Sequence, residues 1–181
     1  LSERQKKLEP HELHKSKARN KLKGAVITVS TSRYYNGIEG IRIKDESGDI
    51  ICNELRKKGH TVFYRSLVPD DIIAIRLKVL EAARYQIDFI ITTGGTGIAK
   101  TDVTIEAIQP LLDKVLPGFG EYFRLESRKR IGTSSIMSRA LLGSMNGIVI
   151  ACLPGSPDSA RLGTKIILQE LPHLVSLASG G

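Results

Sequence analysis

Two carboxylates and a cluster of glycines are the residues of this chain best placed to do chemistry. Asp102 and Glu106 are four apart, so a helix presents them on one face, one turn apart. Just before them the chain reads Thr93-Gly94-Gly95-Thr96-Gly97. Glycine lets backbone N–H groups approach an anion with no side chain in the way. A helix start behind such a loop adds unpaired N–H groups and the positive end of a dipole. Anion donors beside carboxylates describe a metal–phosphate site, because carboxylates hold Mg²⁺ and Mg²⁺ neutralises phosphate. Each carboxylate also has an ordinary reading, Asp102 as a helix N-cap and Glu106 as a solvated helix residue.

The familiar phosphate loops fit poorly. The spacing is not that of the dinucleotide fingerprint. It approaches a P-loop, with Ala99-Lys100-Thr101 standing where Gly-Lys-Thr would be. The alanine removes the glycine that shapes that loop. The later strand, Ile148 to Leu153, runs into Pro154-Gly155 and offers no acid for Mg²⁺.

The elements that must carry these groups alternate between strand and helix. Gly24–Ser30, His60–Val68, Ile87–Ile91 and Gly147–Leu153 are apolar, β-branched runs bounded by turns, as strands buried on both faces read. Helical spacing follows each of them. One helix is expected over 49–58, ended by Gly59. A second spans 71–85, buries Ile72, Ile75, Val79, Leu80 and Ala83, and takes Asp70 or Asp71 as its N-cap. A third starts behind the glycine loop and carries Ile105, Ile108, Leu112 and Val115 inward. A charged helix over 121–130 and a short one over 134–140 come next. The closing helices start at Ser156-Pro157 and run to about Ala178, with a break near Pro172. Ile136, Met137, Leu141, Leu142 and Met145 read as core, and His60 as a surface residue.

Four strands alternating with helices predict a three-layer α/β sandwich with a mostly parallel central sheet flanked by helices. Ligands of such sheets bind outside the carboxyl ends of the strands. Those ends carry Ser30-Thr31-Ser32-Arg33, Asp70, Gly94 to Asp102, and Pro154 to Ser156, which can meet in one crevice. The first of these is either a phosphate-holding hydroxyl cluster or a capped turn.

Composition narrows the function. Of the net charge of +8, residues 1–23 hold eight Lys/Arg against three Glu, a net +5, so the other 158 residues carry +3. With no Trp, 5% aromatics and no basic–aromatic interleaving, a nucleic-acid partner is not expected. No apolar run approaches the ~20 residues that cross a bilayer, and no secretory signal is expected. Cys52 and Cys152 lack metal-ligand spacing and read as buried thiols in a reducing cytoplasm. Residues 1–22 read as a basic flexible tail before a domain over 23–181. Within it, His11 and His14 are more simply part of a solvated arm than metal ligands.

Five stretches occur here in a recognisable order: TTGGTG (92–97), AKTDVTIEA (99–107), LPGFGE (116–121), MSRA (137–140) and LPGS (153–156). Together they resemble the MoaB/MogA family of molybdenum-cofactor biosynthesis, which includes the gephyrin G domain. The resemblance covers roughly residues 24–175. It implies molybdopterin binding and transfer of AMP from ATP to the terminal phosphate of molybdopterin, releasing pyrophosphate. It also implies Mg²⁺ and assembly as homotrimers or hexamers. The family's two essential aspartates fall on Asp70 and Asp102, which with Glu106 would hold Mg²⁺–ATP. Thr93, Gly94, Gly95, Thr96, Gly97, Ser30, Ser32, Ser138, Arg139, Gly155 and Ser156 would contact nucleotide or pterin phosphate. Ile105 stands where the family often has Pro, and the Ser30–Arg33 turn lacks the family's usual Asp. The alternative is a scaffold that binds molybdopterin without adenylylating it. Either could serve a molybdenum or a tungsten cofactor and pass its product to the pathway's metal-inserting enzyme.

Overall fold

A computed structural model describes residues 20–180. Six strands form one sheet in the order β2-β1-β3-β6-β5-β4: β1 (Lys23–Val29), β2 (Thr61–Val68), β3 (Phe89–Thr93), β4 (Lys114–Val115), β5 (Leu141–Met145) and β6 (Ile148–Leu153). The four strands expected from the sequence are the parallel part, β2-β1-β3-β6, and β5 and β4 add an antiparallel edge. Val26, Ile91 and Ala151 lie side by side across β1, β3 and β6.

The period of two along these strands sorts their side chains into two cores. Val26, Phe89, Ile91, Val149 and Ala151 face one side, against α2 (Glu46–Lys57), α5 (Pro117–Ile131) and α6 (Pro157–Ala178). Ala25, Ile27, Ile90, Ile150 and Cys152 face the other, against α3 (Ile72–Ala83) and α4 (Thr104–Ile108). The three layers are thus those expected. Both cysteines are buried and unbridged. Among the described residues no helix is long and apolar enough to cross a membrane. His11 and His14 lie outside the described residues.

Several local expectations are corrected. The Ser30–Arg33 segment, read as a phosphate-holding hydroxyl cluster or a capped turn, is the start of a helix, α1 (Thr31–Ile38), and Ser30 makes no side-chain cap bond to it. The helix behind the glycine loop does not reach Val115. It ends at Ile108, because Pro110 forces a 3₁₀ turn over Gln109–Leu111, and the chain then enters β4. Arg76 of α3 donates to the Ala107 carbonyl (2.9 Å) and ties off that short helix. α5 starts at Pro117, not Glu121, with the proline at the first helical position.

Residues 132–137 form a 3₁₀ stretch, and Leu141–Met145 is a strand paired to β6 through Asn146-Gly147. Both residues of that dipeptide have positive φ, 48° and 81°, as a tight hairpin turn requires. Of the apolar segment around it, Leu141, Leu142 and Met145 are core, but Ile136 and Met137 are exposed. Pro172 does not break α6, which is continuous. Leu80 points outward from α3. His60 is buried, its Nδ1 accepting from the Leu22 N–H (3.3 Å), and burial pushes its pKa down against the pull of Asp88. Leu22, read with the tail, is itself a buried core residue.

Candidate active site

The carboxyl ends of β1, β2, β3 and β6 deliver Ser30, Asp70, Gly94 and Pro154 to the same end of the sheet. The contact between their backbones requires glycine. Gly94 has φ +102° and a methyl there would run into the Val29 carbonyl, while one on Gly155 would lie 3.1 Å from Gly94 Cα. The Gly94 N–H donates to the Leu153 carbonyl (3.0 Å), so the loop leaves the sheet from a fixed point. Thr104 holds its far side. The Thr104 N–H donates to the Gly95 carbonyl and its hydroxyl to the Gly94 carbonyl, both 2.8 Å. With those carbonyls engaged behind, no hydrogen bond among the described residues takes up the N–H of Gly95, Thr96 or Gly97. These are the donors an anion would use. The Thr93 hydroxyl does not join them, since it donates to the Pro154 carbonyl (3.1 Å).

Both aspartates reach this loop. Asp70 is not an N-cap. Asp71 fills that place, accepting from the Ala74 N–H (2.8 Å). Asp70 instead locks to Thr31. Its Oδ2 accepts from both the N–H and the hydroxyl of Thr31, at 2.8 Å each, and its own N–H donates to the Thr31 oxygen (2.9 Å). Its Oδ1 is left facing Gly95, where a methyl would lie 2.7 Å away. Asp102 is not an N-cap either, since Val103 occupies that position of α4. Its Oδ2 accepts from the Ala99 N–H (2.9 Å) and would lie 2.6 Å from a methyl on Gly97. Absent side chains at Gly95 and Gly97 are what let both carboxylates approach.

Glu106 and Arg139 meet in an ion pair, and the same guanidinium donates to the Gly97 carbonyl (3.1 Å). Partial burial would raise the Glu106 pKa, but the hydrogen bond and charge of Arg139, together with a backbone hydrogen bond, hold the carboxyl below its ordinary value. Glu106 therefore acts here as the anchor of Arg139. Ser138 adjoins it, with its N–H on the Ser135 carbonyl (3.0 Å). Ser30 and Ser32 lie with hydroxyls 3.5 Å apart, and Ser30 makes no side-chain cap bond to α1. Ser156 caps α6, accepting from the Ser159 N–H (3.2 Å).

Three supports were not anticipated: Thr31, Thr104 and a network behind Gly155. In the last, the Ser47 hydroxyl donates to the Gly155 carbonyl (2.7 Å) from the first turn of α2. Asp45 caps that turn, accepting from the Gly48 N–H (3.1 Å), the Thr28 hydroxyl (2.6 Å) and Arg65 (2.9 Å). Burial would raise the Asp45 pKa, but these bonds bring it below the ordinary value. The sequence signal was present in Asp45-Glu46-Ser47, an N-cap pattern, but nothing in it tied the turn to residue 155.

Among the described residues no three His, Cys, Asp or Glu side chains cluster closely enough to hold a metal ion. Two carboxylates with open oxygens beside a loop of unengaged N–H groups nonetheless suit Mg²⁺, which keeps its waters and takes one or two carboxylates plus substrate phosphates. A hollow of about 760 Å³ at the opposite end of the sheet, lined in part by Gln86, Asn146 and Ser179, has no such convergence.

Parallel strand ends, a glycine loop and two anchored carboxylates define an α/β protein built to handle phosphate. The chain as a whole narrows this further. Residues 25–173 match the family described as "Probable molybdopterin binding domain", and the chain belongs to that family. It is 41% identical over 171 residues to the molybdopterin adenylyltransferase of Pyrococcus furiosus, covering 92% of this chain and 97% of the relative. It is 41% identical over 168 residues to molybdenum cofactor biosynthesis protein B of Halalkalibacterium halodurans, covering 91% and 94%. Its fold is similar to that of the tungsten cofactor synthesizing protein MoaB from Pyrococcus furiosus, with a TM-score of 0.80 and 40% identity over 90% of this chain and 99% of that one.

Proposed function

We propose that this protein is a molybdopterin adenylyltransferase. A terminal phosphate oxygen of molybdopterin attacks the α-phosphorus of ATP, the bond to the β-phosphate breaks, and pyrophosphate leaves. The observation that carries this reading is the pair of carboxylates held against the glycine loop. Asp70 Oδ1 and Asp102 Oδ2 flank Gly95 and Gly97, each anchored by its own backbone contact. The similarity to adenylyltransferases over nearly the whole chain supports it.

The reaction brings several negative charges together, so its barrier falls mainly by positioning and charge neutralisation. The loop N–H groups of Gly95, Thr96 and Gly97 hold a nucleotide phosphate. Thr104 and Arg139 keep the loop in shape from behind. Ser30, Ser32, Ser138, Gly155 and Ser156 are assigned to the pterin and its phosphate. Two bare carboxylates would repel polyphosphate, so Asp70 and Asp102 act as holders of nucleotide-borne Mg²⁺, which supplies the neutralising charge when bound. Glu106 acts through Arg139 instead.

The protein works as a homo-oligomer, a trimer or hexamer, in the cytoplasm, and its activated product goes on to a metal-inserting enzyme. A stripe on α3 supports self-association: Ile73, Leu77 and Leu80, spaced by four and three, are 68%, 63% and 45% exposed.

Asp102→Ala tests the assignment. The variant is expected to bind molybdopterin and keep its circular dichroism while losing at least about a hundredfold in kcat. Near wild-type turnover would remove Asp102 from the reaction.

A further inference from the structure

α5 and α6 leave a long furrow between them on the surface. At one end it is apolar, walled by Leu116, Phe119, Leu142, Ile166 and Leu174 beside Glu170. In the middle, Tyr122, Leu162 and Ile166 line it with Lys129, Arg130, Arg161 and Lys165. At the other end it meets Arg130, Ile131 and Leu162 beside Asp158. Ile166 is common to the first two stretches, and Arg130 and Leu162 to the last two, so the three adjoin end to end. The furrow follows α5, whose 15 residues span about 22 Å.

The middle stretch is electrically one-sided. It has four cations against Glu126, and Glu126 is taken by Lys129 (2.6 Å). Arg130, Arg161 and Lys165 are exposed and form no ion pair among the described residues. Arg161 and Lys165 are four apart, hence on one face of α6, and their combined field reaches Glu54 across on α2.

We infer that this furrow docks an acidic amphipathic helix of a partner protein. A furrow between two helices, about four turns long and carrying apolar side chains in each stretch, takes the apolar stripe of a third helix. Rim cations that form no ion pair among the described residues then select acidic flanks on it. A nucleic acid is a poorer match. The middle of the floor offers one aromatic ring, Tyr122, and otherwise aliphatic side chains, where single strands seek rows of stacking surfaces. The surface lies on helices outside the phosphate crevice and is independent of the activity proposed above.

The test uses the full chain and a fluorescein-labelled helical peptide of about 15 residues, with Leu on one face and Glu on the flanks, read by fluorescence anisotropy. Wild type is expected to bind saturably, more weakly as salt rises. Arg161→Glu/Lys165→Glu is expected to weaken binding at least about tenfold. Lys21→Glu/Arg42→Glu, with the same change in net charge away from the furrow, is expected to bind within about twofold of wild type. Equal loss in both double variants, or no saturable binding, overturns the proposal. So does tighter binding of a short single-stranded DNA at the same residues. A change of oligomeric state in the Arg161→Glu/Lys165→Glu variant would also overturn it, by making a second copy the occupant. Turnover of both variants should match wild type, so failure here leaves the enzyme reading standing.

Discussion

Thr31 and Asp70 are joined by three hydrogen bonds of 2.8–2.9 Å across the ends of β1 and β2. The pairing occupies one carboxylate oxygen of Asp70 and aims the other at Gly95. Thr31→Val keeps the shape and the backbone N–H but removes the hydroxyl, which both donates to the carboxylate and accepts from the Asp70 N–H. A hydrogen bond to a charged group is worth about 1.5–3 kcal/mol. The expected result is a fall in kcat/KM of about ten- to a hundredfold by steady-state kinetics, with the fold intact. The core explains the intact fold, since each buried Ile, Leu or Phe contributes about 1.5–3 kcal/mol and the two faces of the sheet hold many.

Gly95→Ala tests the space between the carboxylates. A methyl there would sit 2.5 Å from Thr104 Oγ1 and 2.7 Å from Asp70 Oδ1, on a residue with φ +60°. Something must shift, and the groups that shift are the loop anchor and the aspartate. Turnover should fall below about one per cent of wild type. Gly118→Ala, at a position where a methyl meets nothing within 4 Å, should stay near wild type in the same assay.

The Asp45–Arg65 network sets an acid limit on stability. The folded pKa of Asp45 lies below its unfolded value, so its contribution is fully present above the ordinary carboxylate pKa, and is lost as pH falls through the folded value. Wild type should therefore lose stability in the region below about pH 4. Arg65→Gln removes the charged partner, moves the folded pKa upward and should begin acid unfolding at higher pH, as followed by near-ultraviolet circular dichroism.

Both thiols should be inert in the native protein. Burial pushes Cys152 up to about 12 and raises Cys52 as well. At pH 8 the thiolate fraction of Cys152 is then roughly one in ten thousand. Iodoacetamide is expected to label neither cysteine natively and both after denaturation, by mass spectrometry.

The parallel half of the sheet was legible because β1, β3 and β6 are continuous apolar runs, and because Gly59 and Ser156-Pro157 mark helix ends unambiguously. β5 was not, since Leu-Leu-Gly-Ser-Met has neither strand alternation nor β-branched residues, and pairing to β6 decides its state. Asn146-Gly147 is a hairpin-turn signature, but with β5 illegible no hairpin was expected there. Pro172 looked like a break, yet α6 is packed along its length by Ile167, Leu171 and Val175, and tertiary burial overrides the missing N–H. At the site, the loop and both aspartates were legible as residue types, but their N-cap alternatives could be dismissed only from Asp71 and Val103. Thr31, Ser47 and Thr104 were not legible as supports of the site because hydroxyls are common in turns, and the partners of the first two lie 39 and 108 residues away in the chain.

The most direct test is a turnover assay on the purified protein with molybdopterin, ATP and Mg²⁺, measuring adenylylated molybdopterin and pyrophosphate together. The account predicts equal amounts of the two, dependence on Mg²⁺, and loss of both in Asp70→Asn and Asp102→Asn. Saturable molybdopterin binding with neither product would contradict it and make the protein a carrier. Pyrophosphate or ADP released without molybdopterin would contradict it by detaching the loop and its carboxylates from the pterin altogether.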